Sequence, residues 1–189
     1  MRSLYMVSQS IAAVLALTIM FAGAALGDQT DTRLADLFEQ LRDSPDADTA
    51  DQLERQIWVI WLDSGREDVD QLMFRGIRAM HQRQMRRAFS LFDRVVEIAP
   101  EFAEGWNKRA TVLYLQDRLA ESMADIERTL HLEPRHFGAL SGMGLIFAQV
   151  EDEEGAMRAF EAVLELNPHS SSAIANIDDL RTKAHGESL

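Results

Sequence analysis

The chain has no cysteine, which excludes disulfides and any lipid carried on a thiol. Cysteine usage therefore neither supports nor opposes export. Cations are also scarce: 19 Lys and Arg stand against 31 Asp and Glu, for a net charge of −12. Nucleic-acid phosphates demand a basic stripe, so this balance argues against nucleic acid as a partner. Signatures of chemistry are missing as well. There is no H-E-x-x-H helix, no G-x-S-x-G elbow and no phosphate loop. Gly138, Gly142 and Gly144 fall within a helical phase rather than after a strand, so they read as sites of close packing or a widened groove. His131, Glu133 and His136 surround Pro134 in a turn, where metal ligation is not expected. No catalytic residue, metal or cofactor is assigned, and no segment is of low complexity.

Proline is rare too, with four in the chain. Three of them, Pro100, Pro134 and Pro168, lie 34 residues apart and close the phrases EIAP, HLEP and ELNP. Other positions keep the same register: Gly76, Ala110 and Gly144; Ala88, Ser122 and Ala156; Phe92, Ile126 and Phe160; Val95, Thr129 and Val163. Each unit holds two apolar-periodic stretches of helical length. Leu72, Ile77 and Met80 fall on a first helix, and Ala88, Phe92, Val95 and Val96 on a second. The small residues permit close approach, Phe92 fills the space between, and the proline stops the second helix because it lacks an amide hydrogen. A single hairpin cannot bury its apolar face alone, so the units are expected to stack.

This 34-residue pattern resembles the tetratricopeptide repeat, which runs W-x2-L-G-x2-Y, then A-x3-F, then P. Trp106, Ala110, Leu113 and Pro134 occupy those slots in the second unit. Leu140, Gly144, Phe147, Ala156, Phe160 and Pro168 occupy them in the third, and Leu72, Gly76, Ala79, Ala88, Phe92 and Pro100 in the first. The resemblance implies an all-α solenoid of antiparallel helix pairs. It places three repeats at about 69–102, 103–136 and 137–170 within a domain spanning 66–189, closed by a capping helix over 170–185.

Two segments precede the repeats. Residues 1–27 carry Arg2, an apolar run from Ile11 to Leu26 and small residues before Asp28, the layout of a secretory signal. Export to a periplasm is the expectation, with an uncleaved inner-membrane anchor as the alternative. Residues 28–65 read as an irregular N-terminal helix pair broken at Ser44-Pro45-Asp46. Trp58 and Trp61 are expected to pack on the first regular unit, with an exposed partner anchor as the alternative.

In the resembled family, the first helices of successive units line a concave groove that holds a peptide or partner helix. Carried onto this chain, that groove comprises Met73, Ile77 and Met80, then Asn107, Thr111 and Tyr114, then Ser141, Leu145 and Ala148. A competing reading packs Met73 to Met80 beneath the N-terminal pair. One variant of the family grips a terminal carboxylate with Lys and Asn, but Met73 and Ile77 stand in those slots, so burial of apolar side chains is the expected mode. Arg75 and Arg109 share a slot; Arg109 is expected to form a structural ion pair with Asp125, while an arginine ladder for an anionic ligand is the alternative. Arg83, Arg86 and Arg87 read as a solvated face or a docking patch for an acidic partner. The expected function is a non-catalytic scaffold of the cell envelope that binds a protein or peptide. The alternative is an assembly chaperone, or an enzyme whose site is scattered along the groove. Self-association through an uncovered end is a further option.

Overall fold

The computed structural model describes residues 28–186, with side chains through 183. The segment read as an export signal, 1–27, lies outside the described residues. Nine helices make up the described chain: α1 (Arg33–Arg42), α2 (Ala47–Trp61), α3 (Glu67–His81), α4 (Met85–Ile98), α5 (Ala103–Leu115), α6 (Leu119–Leu132), α7 (Phe137–Gln149), α8 (Glu153–Leu166) and α9 (Ser171–Gly186). No strand occurs among the described residues. Helices α3 to α8 form three antiparallel hairpins, each packed on the next, and α9 packs on α8. This is an all-α solenoid.

Local chemistry makes each hairpin. The first helices end on Arg83, Asp117 and Glu151, with φ of 57°, 59° and 64°. The following amides, of Gln84, Arg118 and Asp152, reach back to the carbonyls of Ala79, Leu113 and Phe147 at 2.9, 3.0 and 2.9 Å. That is the closing bond of a Schellman cap, which satisfies orphan carbonyls while reversing the chain. Within the hairpins, phenyl rings press onto glycine. A Cβ on Gly76 would lie 2.5 Å from the Phe92 ring, and one on Gly144 would lie 2.7 Å from the Phe160 ring. Both phenylalanines are buried, so their rings have no room to retreat.

The N-terminal pair departs from expectation. It does not stack on the first unit as a further repeat. Leu34, Phe38, Leu41, Leu53, Ile57 and Trp61 instead share a core with Phe137, Phe160, Val163, Ile177 and Leu180 of α7, α8 and α9. The first unit has its own core, built on Val69, Met73, Phe92 and Val95, to which the pair contributes only the partly buried Leu62 at its end.

The pair runs along the three turns that carry the period's prolines. At the first turn, the Gln29 amide donates to Glu101 O (2.6 Å), and its carbonyl accepts from Ala103 N (3.2 Å). At the second, the Arg135 guanidinium lies 4.5 Å from the Phe38 ring centroid. At the third, His169 Nε2 donates to Ser44 O (2.9 Å), and Asn167 Nδ2 to Glu54 Oε2 (3.0 Å). The pair therefore braces the edge of the stack. This placement buries the apolar faces of both helices of the pair, as the hydrophobic effect requires.

Candidate binding groove

Helices α5 and α7 present Asn107, Thr111, Tyr114, Ser141 and Leu145 around one cleft of about 150 Å³, floored by Ala110, Ser122, Ile126, Gly138 and Gly142. Five of the nine groove positions inferred from the sequence thus meet in one place. Ile77, Met80 and Ala148 are half-buried and pack against the core clusters rather than lining this cleft. Met73 is a correction. Only 2 % of it is exposed, and it lies in the first unit's own core rather than on a binding surface or beneath the N-terminal pair.

Asn107 is held in part by a neighbour. It lines the cleft, yet its Nδ2 is already donated to Glu104 Oε2 at 2.7 Å in a buried cluster. Glu104 is 1 % exposed, and its second oxygen lies 2.7 Å from Lys108 Nζ. His136 is fully buried, with Nε2 3.0 Å from Glu104 Oε2. The other imidazole nitrogen, Nδ1, accepts the Ala139 amide at 3.2 Å and so caps α7. An accepting Nδ1 carries no proton, so the proton resides on Nε2 and is donated to Glu104. Burial pushes the Glu104 carboxyl up, but Lys108 and His136 outweigh it and hold the group below the ordinary carboxylate range.

The two tryptophans complete this cluster. Trp61 stacks on the His136 ring at 4.1 Å and 9°, and Trp58 meets Phe137 edge to face at 5.3 Å. Lys108 Nζ sits 4.8 Å from the Trp58 ring. A Cβ on Gly138 would come within 2.8 Å of Trp58, so this close approach requires glycine. Trp58 Nε1 donates to Glu54 Oε1 at 3.3 Å, and Glu54 also holds Asn167. Both tryptophans thus pack on the start of the third unit, not on the first as the sequence suggested.

The sequence signalled neither Glu104 nor His136 as partners. They lie 32 residues apart in chain numbering, and only the stacking of the second and third units brings them together. His136 is bound to Glu104, while Glu133 accepts Arg135 Nε and Nη2 at 2.9 and 2.8 Å.

Arg109 stitches three helices. Its Nε and Nη2 donate to Asp125 at 2.7 and 2.8 Å, and its Nη1 donates to Asp93 at 2.6 Å. The bonds to Asp125, followed by those to Asp93, push the guanidinium further up from its ordinary range. Asp125 therefore has the partner expected of it, and Asp93 adds a link to the preceding unit. Arg75, in the same slot one repeat earlier, makes no ion pair among the described residues, and because Arg109 is held by its two aspartates the pair does not present a common ladder to an anionic ligand.

Three stacked hairpins with a groove along their first helices define a helical-repeat scaffold. The chain belongs to the tetratricopeptide-repeat (TPR) proteins: it is 34 % identical over 154 residues to a TPR repeat-containing protein of Rhizobium etli, covering 82 % of this chain and 76 % of the relative. No family model matches the chain. Among solved structures, the Sgt2 TPR domain of Aspergillus fumigatus superposes with a TM-score of 0.61 at 22 % identity, over 65 % of this chain and 83 % of that one. The first TPR of Spaghetti (RPAP3), bound to an HSP90 peptide, gives 0.59 at 19 % identity, over 62 % and 93 %. At these identities the structural likeness speaks for the fold alone.

Proposed function

We propose that this chain is a non-catalytic protein-interaction module of the cell envelope that receives an extended or helical segment of a partner protein. The observation that carries this reading is the cleft between α5 and α7, which Tyr114, Thr111, Ser141 and Leu145 line together. A few orienting polar groups on an apolar floor suit a peptide anchor. The peptide-bound state of the Spaghetti domain lends support by likeness of fold. The Glu104–His136 pair is enclosed on all sides, which favours a structural part for it over proton transfer to a substrate. The apolar segment before Asp28 supports export.

A photo-crosslinking phenylalanine analogue at position 114, introduced in the native cell, tests the groove. One discrete adduct, absent with the analogue at the exposed Ser90, is expected. Tyr114→Ala should then weaken binding of the identified segment by about tenfold or more, as loss of a central aromatic anchor does. Equal labelling at both positions would overturn the groove assignment, and a broad ladder of adducts would indicate a chaperone. Cell fractionation with N-terminal sequencing tests export. A periplasmic chain starting near Asp28 is expected, and a cytosolic chain starting at Met1 would refute it.

A further inference from the structure

Beyond the groove, the outer face of the first unit has a character of its own. In the second and third units, the positions facing the preceding hairpin are Gly105 and Val112, then Ala139 and Ile146, all buried. One period earlier the same positions hold Gln71 and Arg78, both exposed. Arg75 stands where Arg109 stands, but the acids that serve Arg109 have no counterparts. Leu91 replaces Asp125, and Val59 replaces Asp93.

Because the N-terminal pair packs on the third unit, nothing among the described residues covers this face. Arg75, Arg78 and Arg87, with Gln82, line a pocket of about 320 Å³. None of the three arginines has a carboxylate within ion-pairing distance among the described residues. Arg87 Nη1 donates to Gln84 at 3.3 Å. The nearby acids of α3 are engaged elsewhere: Glu67 accepts from Gln71, and Asp70 accepts from Ser64. Arg83 and Arg86 extend the positive surface along the turn.

A polar end face is needed to keep a solenoid soluble. Solubility alone is met by interspersed signs, as on α9, where Asp178 and Asp179 accompany Arg181 and Lys183. A single-sign cluster of planar forks in a chain of net charge −12 has a different chemical character. We propose that this pocket is a second docking site, separate from the groove, for an acidic protein segment whose carboxylates pair with Arg75, Arg78 and Arg87. Such a segment supplies to Arg75 what Asp93 supplies to Arg109 at the next interface. Arg–carboxylate pairing is bidentate and charge-assisted, which gives register as well as attraction.

The test is fluorescence anisotropy of a labelled Glu-rich peptide with the full chain. Saturable binding that falls steeply with salt is expected. The substitutions Arg75→Glu, Arg78→Glu and Arg87→Glu together should weaken it by about tenfold or more. Gln in place of Arg42, Arg94 and Arg158, three exposed arginines already paired with acids, should leave it within about twofold, since such pairs contribute little. All six side chains are exposed, so folding is preserved, and circular dichroism verifies it. No binding above that of a Gly/Ser peptide, or undiminished binding by the Glu variant, would overturn the proposal. So would stronger binding to anionic-lipid vesicles or RNA, or salt-sensitive self-association by light scattering, each of which would name a different occupant.

Discussion

The two ends of the stack are built from the same repeat register and finish in opposite ways. At the third unit, α9 lays Ala173, Ile177 and Leu180 over Phe160 and Val163, and the N-terminal pair adds Phe38 and Trp61 to the same core. At the first unit, the corresponding inter-unit face shows Gln71, Arg75 and Arg78 to solvent. A repeat position thus has no fixed chemistry. Its side chain follows from whether a neighbour arrives, and in this chain the would-be neighbour of the first unit is spent on the third.

The sharpest way to break the comparison is to loosen the covered end. Trp61 contacts Phe38, His136 and Phe137 and is almost wholly buried. Trp61→Ala should therefore destabilise the protein by about 3–5 kcal/mol, read as a shift in urea midpoint. Its Nε1 has no hydrogen-bond partner among the described residues, so Trp61→Phe should recover much of that loss. A cost below about 1 kcal/mol for the alanine change would mean that the brace is not docked.

The next effect contrasts two arginines in one slot. Arg109→Ala strands Asp125, which is 6 % exposed, and should cost roughly 2–4 kcal/mol by the penalty for an unpaired, mostly buried charge. Arg75→Ala, one repeat earlier and exposed, should stay within about 0.5 kcal/mol in the same thermal scan. Equal costs would show that the end of the first unit is covered in solution.

The smallest effect concerns pH. Glu104 has a folded pKa below its unfolded value, so its contribution is complete above the ordinary carboxylate range and is lost as pH falls through the folded value. Glu104→Gln should cost about 1–3 kcal/mol at neutral pH, because Lys108 and His136 lose a buried ionic acceptor. The gap between variant and parent should narrow on titration below about pH 4, the unfolded glutamate range. A gap independent of pH would remove Glu104 from the electrostatics of the brace.

Legibility in the sequence followed the range of the interactions. The helix pairs and the small-against-phenyl contact of Gly76 with Phe92 lie within one unit and followed from the period, while the Arg109–Asp125 bond, also within one unit, followed from the family resemblance. Three of the first-helix endings could not be recognised from glycine, because Arg83, Asp117 and Glu151 take the left-handed conformation instead. The groove was located in part. Tyr114, Thr111, Ser141 and Leu145 share a cleft, but Met73 turned inward and Asn107 was claimed by Glu104. In both, the periodicity set the helix face, while the neighbouring units decided how much of that face met water.

By itself, the sequence determined the repeat, its three units, the helix that closes them and the apolar faces that force stacking, since these follow from local periodicity and turn chemistry. Only the tertiary structure decided where residues 28–62 go. Trp58 and Trp61 are amphipathic anchors that any apolar surface satisfies, and they find His136, Phe137 and Gly138 more than seventy positions later. Hydrophobic burial is non-directional, so its destination was set by shape: a glycine gap for Trp58, a flat imidazole for Trp61 and a first unit whose open face is lined with arginine.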